Sequence, residues 1–224
     1  MKVGVVTFPG SLDDRDAIAA VERCGGQGAQ LWHADTSVGD VDAVILPGGF
    51  SYGDYLRCGA VAHRAPIMAA IADFARAGGP VLGICNGFQV LCEAGLLPGA
   101  LLRNAGLRFT CRPVLLEVVN RTTPWTAGFP DAGPIVVPVK NGEGRYYADP
   151  DTLDELEANG QVVFRYAHGC NPNGSERDIA GVCNEAGNVV GLMPHPEHAT
   201  DALLWGGEDG RPVFEGLLEL AGAR

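Results

Sequence analysis

One cysteine stands where a strand should end and a helix should begin. Cys85 follows the apolar run 81–84, and a helical pattern starts at Asn86. Gly83 and Gly87 flank the cysteine two positions away on either side. This is the pattern of a nucleophile elbow, a strained turn that lifts a side chain above the sheet. A helix N-terminus favours a thiolate, and the backbone N–H of Asn86 would point at an oxyanion formed beside Cys85. A buried cysteine at a tight packing contact is the alternative, but the paired glycines favour chemistry.

A histidine and a glutamate further along the chain can serve this cysteine as base and orienter. His195 and Glu197 follow the apolar run 189–192. Because a residue before proline is pushed towards extended backbone, Pro196 should hold His195 extended. Residues two apart share a face of extended chain, so Glu197 can fix the tautomer and orientation of the imidazole. Cys85, His195 and Glu197 are therefore predicted to form a catalytic triad.

The same segment has two simpler interpretations. One is a surface turn that carries a chance histidine. The other is a metal site built from His195, Glu197 and His198. A metal is disfavoured because two histidines three apart in a proline-bearing extended segment should not converge, and no further ligand pair is evident. We therefore predict no metal site.

A glycine pair after an earlier strand is a candidate for the second oxyanion donor. The segment 47–50 reads Pro-Gly-Gly-Phe. Its glycines can turn a backbone N–H towards the nucleophile, but a plain strand-to-helix turn explains them equally well. From this segment alone the plain turn is preferred.

The elements that must position these residues alternate between strands and helices in the first half. Strands are predicted at 2–8, 29–33, 41–46 and 81–84, and helices at 66–77 and 86–93. Asp13 and Asp14 offer an N-cap and a first-turn acid for a further helix that ends at the glycines 25–26. The second half carries short β-like runs at 114–119, 135–139, 162–166, 179–183 and 189–193, with helical patterns at 151–159 and 213–221. We predict an α/β fold: one three-layer domain over residues 1–224, whose mostly parallel central sheet has helices on both faces and extra short strands in the second half.

Composition excludes several classes of function. The net charge is −11 and no basic run stands out, so binding to nucleic acid is not expected. No signal-peptide pattern and no apolar stretch near the about 18 residues of a membrane span is present, so we expect a cytoplasmic protein with no membrane contact. The seven cysteines are odd in number and form no C-x-x-C pair, which disfavours a disulfide framework and a zinc ribbon. Most of them are expected to be small buried hydrophobes.

These residues resemble the class I, or triad, glutamine amidotransferases. That family carries G-x-C-x-G-x-Q at its nucleophile, a glycine pair after an earlier strand, and H-x-E towards its C-terminus. The sequence has all three, at 83–89, 48–49 and 195–197. Segments 46–57, 171–181 and 191–197 are similar to the glutaminase subunits of phosphoribosylformylglycinamidine synthases, so the resemblance spans nearly the whole chain.

The resemblance implies a function for the site. Gly49 would supply an oxyanion N–H beside that of Asn86, and Gln89 would contact the substrate glutamine. Cys85 would attack the side-chain amide, and a glutamyl thioester would release ammonia to a larger synthetase subunit that amidates formylglycinamide ribonucleotide in purine biosynthesis. A small accessory subunit is expected in the same complex. No cofactor is expected in this chain; ATP and magnesium should bind the partner, because the sequence has no G-x-x-x-x-G-K-[ST].

Two departures from the family pattern are visible. Lys140 and Asn141 stand where many relatives have Ala-His, and His198 stands where many have arginine. Since the triad is untouched, we expect these changes to affect only loop ordering or partner contact.

Other functions remain open. A γ-glutamyl hydrolase or another cysteine hydrolase would use the same elbow, because one scaffold hosts several chemistries. A non-catalytic partner subunit would not need all three triad residues. Tyr52, Asp54 and Arg57 either gate glutamine entry, touch the partner, or belong to a solvated loop.

Overall fold

The computed structural model describes residues 1–130, 133–167 and 169–222. His168, to which the sequence assigns no role, lies outside them. The strands are β1 Lys2–Thr7, β2 Gln27–Trp32, β3 Ala43–Leu46, β4 Val81–Ile84, β5 Ala100–Leu102, β6 Thr110–Val118, β7 Ile135–Asn141, β8 Arg145–Tyr147, β9 Val162–Tyr166, β10 Ile179–Cys183 and β11 Val189–Leu192. The helices are α1 Asp14–Arg23, α2 Pro66–Arg76, α3 Asn86–Glu93, α4 Pro150–Ala158, α5 Ala202–Trp205 and α6 Arg211–Gly222.

Nine of the strands in the described residues form one mixed sheet, in the order β2-β1-β3-β4-β11-β10-β9-β6-β7. The first five strands of this order run parallel, and each later pairing is antiparallel. Strands β5 and β8 form a separate antiparallel pair. The predicted α/β fold is therefore confirmed, with the parallel strands gathered in one half of the sheet.

The two halves of the sheet differ because their strands carry different residue patterns. Strands β3 and β4 are continuous apolar runs in which every residue is buried, as expected for central parallel strands covered on both sides. Along β7 the buried Ile135, Val137 and Val139 alternate with residues that are at least partly exposed. Such alternation is typical of antiparallel strands with one face in solvent.

The register of the parallel strands gathers the predicted site residues at one edge of the sheet. Gly83 and Ile84 pair with Gly191 and Leu192, so the chain leaves β4 and β11 at the same level. Leu46, the last residue of β3, pairs with Gly83. Carboxyl ends of neighbouring parallel strands are where α/β proteins build their ligand sites.

Most predicted elements are present, with ends shifted by a few residues. The β5–β8 pair and α5 were not predicted, because elements of three or four residues are too short to show a periodicity. All seven cysteines are free, but only Cys85 and Cys183 are buried and Cys111 is exposed, so the expectation that most are buried is wrong. Among the described residues, none of the helices combines the length and the apolar character that crossing a membrane requires.

Candidate active site

Cys85 lies at a strained junction between β4 and α3. Its φ is 49° and its ψ is −103°, a conformation that is costly for a residue with a Cβ, by about 1–3 kcal/mol. The flanking glycines allow the close packing: a Cβ on Gly87 would collide with the carbonyl of Leu46, and one on Gly83 would lie 2.8 Å from the carbonyl carbon of Gly87. The strand-to-helix turn predicted from the sequence is therefore present, for the steric reason expected.

His195 and Glu197 meet as a buried pair. Nδ1 of His195 lies 2.6 Å from Oε1 of Glu197, and neither side chain is exposed. The predicted local conformation is wrong, because Glu197 lies in a 3₁₀ turn, Pro196–Ala199, and not in extended chain. Pro196 takes the first position of this turn, where a missing N–H has no consequence. The backbone N–H of His195 donates to the carbonyl of Pro138 (2.8 Å), which anchors the turn to β7.

The negative charges around His195 favour its imidazolium form. Burial alone would lower the pKa of His195, but the negative charges of Glu197 and of the Cys85 thiolate outweigh it and raise this pKa to about 10. Because Nδ1 is bound to Glu197, Nε2 is the ring nitrogen left for Cys85; it is buried and makes no hydrogen bond within the described residues. The Cys85 thiol lies 3.9 Å from the carbonyl oxygen of Lys140, which leaves it without a strong competing acceptor.

The glycine turn after β3 lies next to His195. Gly49 has a φ of 142°, and a Cβ on it would lie 2.7 Å from the carbonyl oxygen of Gly10. A bridge between Ser11 and Gly49 ties the turn to the chain that follows β1. The backbone conformation and the close approach both require glycine here.

Asn86 and Gln89 form the start of α3 and are both buried. The Asn86 amide donates to Oε1 of Gln89 (2.9 Å), and its Oδ1 accepts the backbone N–H of Ser51 (3.0 Å). The Gln89 amide donates to the carbonyl oxygen of Glu143 (2.6 Å). Asn86 is the first residue of α3, so its backbone N–H has no carbonyl of a preceding helical turn to which it could donate.

Four of the residues predicted to form the site open onto one cavity of about 380 Å³. The sequence-predicted residues that line it are Gly49, Cys85, Gln89 and His195. Asn86 and Glu197 are buried and are not among its lining residues. The other residues that line the cavity are Leu12, Asp13, Phe50, Asp54, Cys58, Phe109, Lys140, Asn141, Gly142 and Glu143.

One part of the cavity wall is acidic. Cys58 donates to Oε2 of Glu143 (3.2 Å), and the Asn86 amide donates to Asp54 (3.2 Å). Burial, together with the charge of Glu143, raises the pKa of Asp54. Burial and the same two carboxylates raise the pKa of the Cys58 thiol far above its usual range, so Cys58 stays protonated. Two carboxylates on one wall of the cavity are a suitable contact for a ligand cation.

Tyr52 and Arg57 of the 51–57 loop are paired outside the cavity. The hydroxyl of Tyr52 lies 2.6 Å from Nδ1 of His33, and Arg57 binds Glu93 through two hydrogen bonds of 2.6 and 2.5 Å. Only Asp54 of the three loop residues singled out in the sequence lines the cavity.

Asp13 lies at the predicted N-cap, but its side-chain contacts were not predicted. It occupies the N-cap position of α1, but its side chain makes no capping hydrogen bond. Its carboxylate instead accepts from Nζ of Lys140 (2.5 Å) and lies 3.6 Å from Nδ1 of His195. A side chain 127 positions away satisfies it, a partner that no local pattern can indicate.

The argument against convergence of the two histidines is also wrong. Donor atoms of Asp13, His195, Glu197 and His198 lie within 4.8 Å of one another, because the 3₁₀ turn brings positions three apart to the same side. We interpret this group as a hydrogen-bonded charge network, since Lys140 already provides a cation at Asp13.

Comparisons with known proteins show the family to which the chain belongs. Residues 1–211 match the family described as a CobB/CobQ-like glutamine amidotransferase domain. A protein from Frankia casuarinae, named phosphoribosylformylglycinamidine synthase subunit PurQ, is 61% identical over 217 residues, which cover 97% of this chain and 93% of the relative. A protein of the same name from Rubrobacter xylanophilus is 60% identical over 224 residues, all of both chains.

A solved structure gives the same result. A chain in the structure of PurLQS from Thermotoga maritima is 47% identical to this chain and superposes on it with a TM-score of 0.90. The match covers 98% of each of the two chains. Family match, full-length identity and fold agree with one another. The chain therefore belongs to the family of CobB/CobQ-like glutamine amidotransferase domains.

Proposed function

We propose that this chain is the glutaminase subunit of a phosphoribosylformylglycinamidine synthase. The observation that carries the proposal is the buried His195–Glu197 pair beside Cys85 at a strained strand-to-helix turn. Relatives that share about the full length of this chain carry the name of that subunit. The whole chain, residues 1–224, acts as one glutamine amidotransferase domain in the cytoplasm.

The first half of the reaction releases ammonia. The Cys85 thiolate attacks the side-chain amide carbon of glutamine, and the carbonyl oxygen becomes an oxyanion. Backbone N–H groups of Gly49 and Asn86 donate to this oxyanion. The imidazolium of His195 gives its proton to the leaving nitrogen, the carbon–nitrogen bond breaks, and a glutamyl thioester remains.

The second half restores the enzyme. Neutral His195 takes a proton from water, and the resulting hydroxide attacks the thioester carbon. A second oxyanion forms in the same place and collapses, which breaks the carbon–sulfur bond and releases glutamate. Cys85 leaves as a thiolate beside the imidazolium of His195, and Glu197 holds the ring throughout.

The cavity wall selects the substrate. Gln89, which is held by Asn86 and by the Glu143 carbonyl, contacts the glutamine. The carboxylates of Asp54 and Glu143 face the α-ammonium group, which a simple amide lacks. Both line the cavity with Cys85.

Ammonia passes to a larger synthetase subunit. The Thermotoga maritima structure, a PurLQS complex, supports a larger synthetase and a small accessory subunit as partners. ATP and magnesium bind the synthetase, which activates formylglycinamide ribonucleotide for amidation. This chain needs no cofactor for thioester chemistry.

The test compares glutamine with ammonia as the nitrogen donor in the assembled complex. Cys85→Ala should abolish glutamine-dependent amidation and leave ammonia-dependent synthesis by the partner intact. Cys111→Ala, which removes an exposed thiol from β6, is the matched control and should keep both activities. Glutamine-dependent synthesis that survives Cys85→Ala refutes the mechanism.

The same complex separates the alternatives. The proposal predicts that synthetase sharply raises hydrolysis of free glutamine. A γ-glutamyl hydrolase would cleave γ-glutamyl peptides without such a rise, and a non-catalytic subunit would support only ammonia-dependent synthesis.

A further inference from the structure

Two of the three residues that depart from the family pattern, Lys140 and His198, meet on one buried carboxylate. Nζ of Lys140 lies 2.5 Å from Oδ1 of Asp13, and Nε2 of His198 lies 3.3 Å from the same atom. The second oxygen, Oδ2, lies 3.6 Å from Nδ1 of His195. Asp13 thus joins these departures to the proposed catalytic histidine.

Asp13 is a fixed negative charge. Its side chain is only 4% exposed, and burial opposes ionisation. A hydrogen bond from His198 and the positive charges of His195 and Lys140 outweigh burial and hold the pKa of Asp13 well below its usual range.

His195 consequently has two carboxylates on its Nδ1 side. Oε1 of Glu197 is hydrogen-bonded to Nδ1 at 2.6 Å, and Asp13 adds a second, longer contact. Each carboxylate favours the imidazolium. An imidazolium that is stabilised too strongly is a poor acid. Lys140 weakens the stabilisation of the imidazolium by Asp13, because its positive charge pairs with the Asp13 carboxylate.

The backbone of the same segment braces the glycine turn. The N–H groups of Leu12 and Asp13 donate to the carbonyl of Gly48 (3.1 and 3.3 Å). A Cβ on Gly48 would lie 2.8 Å from Cε1 of His195. Asp13 therefore contacts the histidine through its side chain and the turn that precedes Gly49 through its backbone.

We propose that Asp13 is a second positioning carboxylate for His195, and that Lys140 limits its effect by pairing with it. This assignment rests on the proposed glutaminase function, because it concerns proton transfer by His195. The charged and titratable groups facing His195 are Glu197 and His198 on its own turn, Asp13 before α1, Cys85 after β4, and Lys140 on β7.

The test uses charge changes of opposite sign. Asp13→Asn, Lys140→Met and the double variant are compared with the wild type, and Asp16→Asn, an exposed acid on the same helix, is the matched control. One readout is the titration of His195 by NMR in the isolated, ¹⁵N-histidine-labelled chain, with His195→Gln to assign the signal. The other is the basic limb of kcat/KM for glutamine in the complex.

Opposite shifts are expected. Asp13→Asn should lower the titration midpoint of His195 and the basic limb by at least about one pH unit, because a unit charge at this distance has this effect in water and a larger one in a buried site. Lys140→Met should raise both, the double variant should lie between them, and Asp16→Asn should match the wild type.

An unchanged His195 midpoint in Asp13→Asn, or shifts of the same sign in both single variants, would overturn the inference. Because Lys140 is partly exposed, Lys140→Met provides a folded variant even if Asp13→Asn is unstable. The NMR titration needs no catalysis, so a wild type that fails to use glutamine would refute the proposed function alone.

Discussion

Replacing Glu197 by glutamine tests how the His195 imidazole is controlled. The substitution keeps the size of the side chain and removes its charge. The carboxylate accepts from Nδ1 at 2.6 Å in a site where neither side chain is exposed. Hydrogen bonds to charged groups contribute about 1.5–3 kcal/mol, roughly twice the value of neutral ones.

The magnitude follows from this difference. Loss of about 1.5 kcal/mol from the imidazolium lowers the pKa of His195 by about one unit. The second oxygen, Oε2, is buried and has no hydrogen-bond partner within the described residues. A glutamine NH₂ group would either lie there unsatisfied or turn towards Nδ1 and select the wrong tautomer. Together these effects should reduce kcat by about 10- to 100-fold, with little change in KM.

The assay is the pH profile of glutamine-dependent amidation by the assembled complex. The basic limb should move to lower pH, because a weaker imidazolium loses its proton earlier. Ammonia-dependent synthesis should be unchanged, and Glu185→Gln, an exposed glutamate, should behave like the wild type. A Glu197→Gln enzyme with wild-type kcat and an unshifted basic limb would refute the reasoning.

Three further results are expected. Gly87→Ala should lower the free energy of unfolding by about 1–3 kcal/mol in denaturant titrations, because its Cβ would meet the Leu46 carbonyl. Gly106→Ala has open space around the new Cβ and should change this free energy by less than about 0.5 kcal/mol. Equal effects of the two substitutions would contradict the packing argument. Glu143→Gln should raise KM for glutamine about 10-fold with kcat nearly unchanged if this carboxylate binds the α-ammonium, and an unaltered KM would exclude that contact. The pKa of His195 rises to about 10 from 6.5, so the contribution of its protonated form to the free energy of unfolding is complete below about pH 6.5 and is lost as the pH rises to about 10. The free energy of unfolding of His195→Gln should lack this decline. A parallel decline in the wild type and the variant would contradict the expectation.

Local spacing was sufficient to predict that Cys85 and His195 belong to one site. The glycines around Cys85 predict a close strand–helix approach, and the structure has that approach at Gly87 and Leu46. The alternation of strands and helices predicts the parallel half of the sheet, whose register brings Cys85 and His195 to one edge. In both cases the physical constraint acts within a few residues or through a regular repeat.

Long-range contacts account for what the sequence did not indicate. Asp13 fits the local pattern of a helix N-cap, yet Lys140 binds its side chain from 127 positions away. The acidic wall has the same origin, because Cys58 and Glu143 are 85 positions apart. At Glu197, a proline pattern indicated extended chain, while the structure forms a 3₁₀ turn that also brings in His198.

The most direct test of the central claim is the site at which an electrophilic glutamine analogue modifies the protein. The chain has seven cysteines, so peptide mass spectrometry can distinguish the reactive thiol from six internal controls. The account predicts one covalent adduct, on Cys85, that excess glutamine prevents and that the His195→Gln variant forms far more slowly. Modification of a different cysteine, or labelling of Cys85 that glutamine does not prevent, would contradict it.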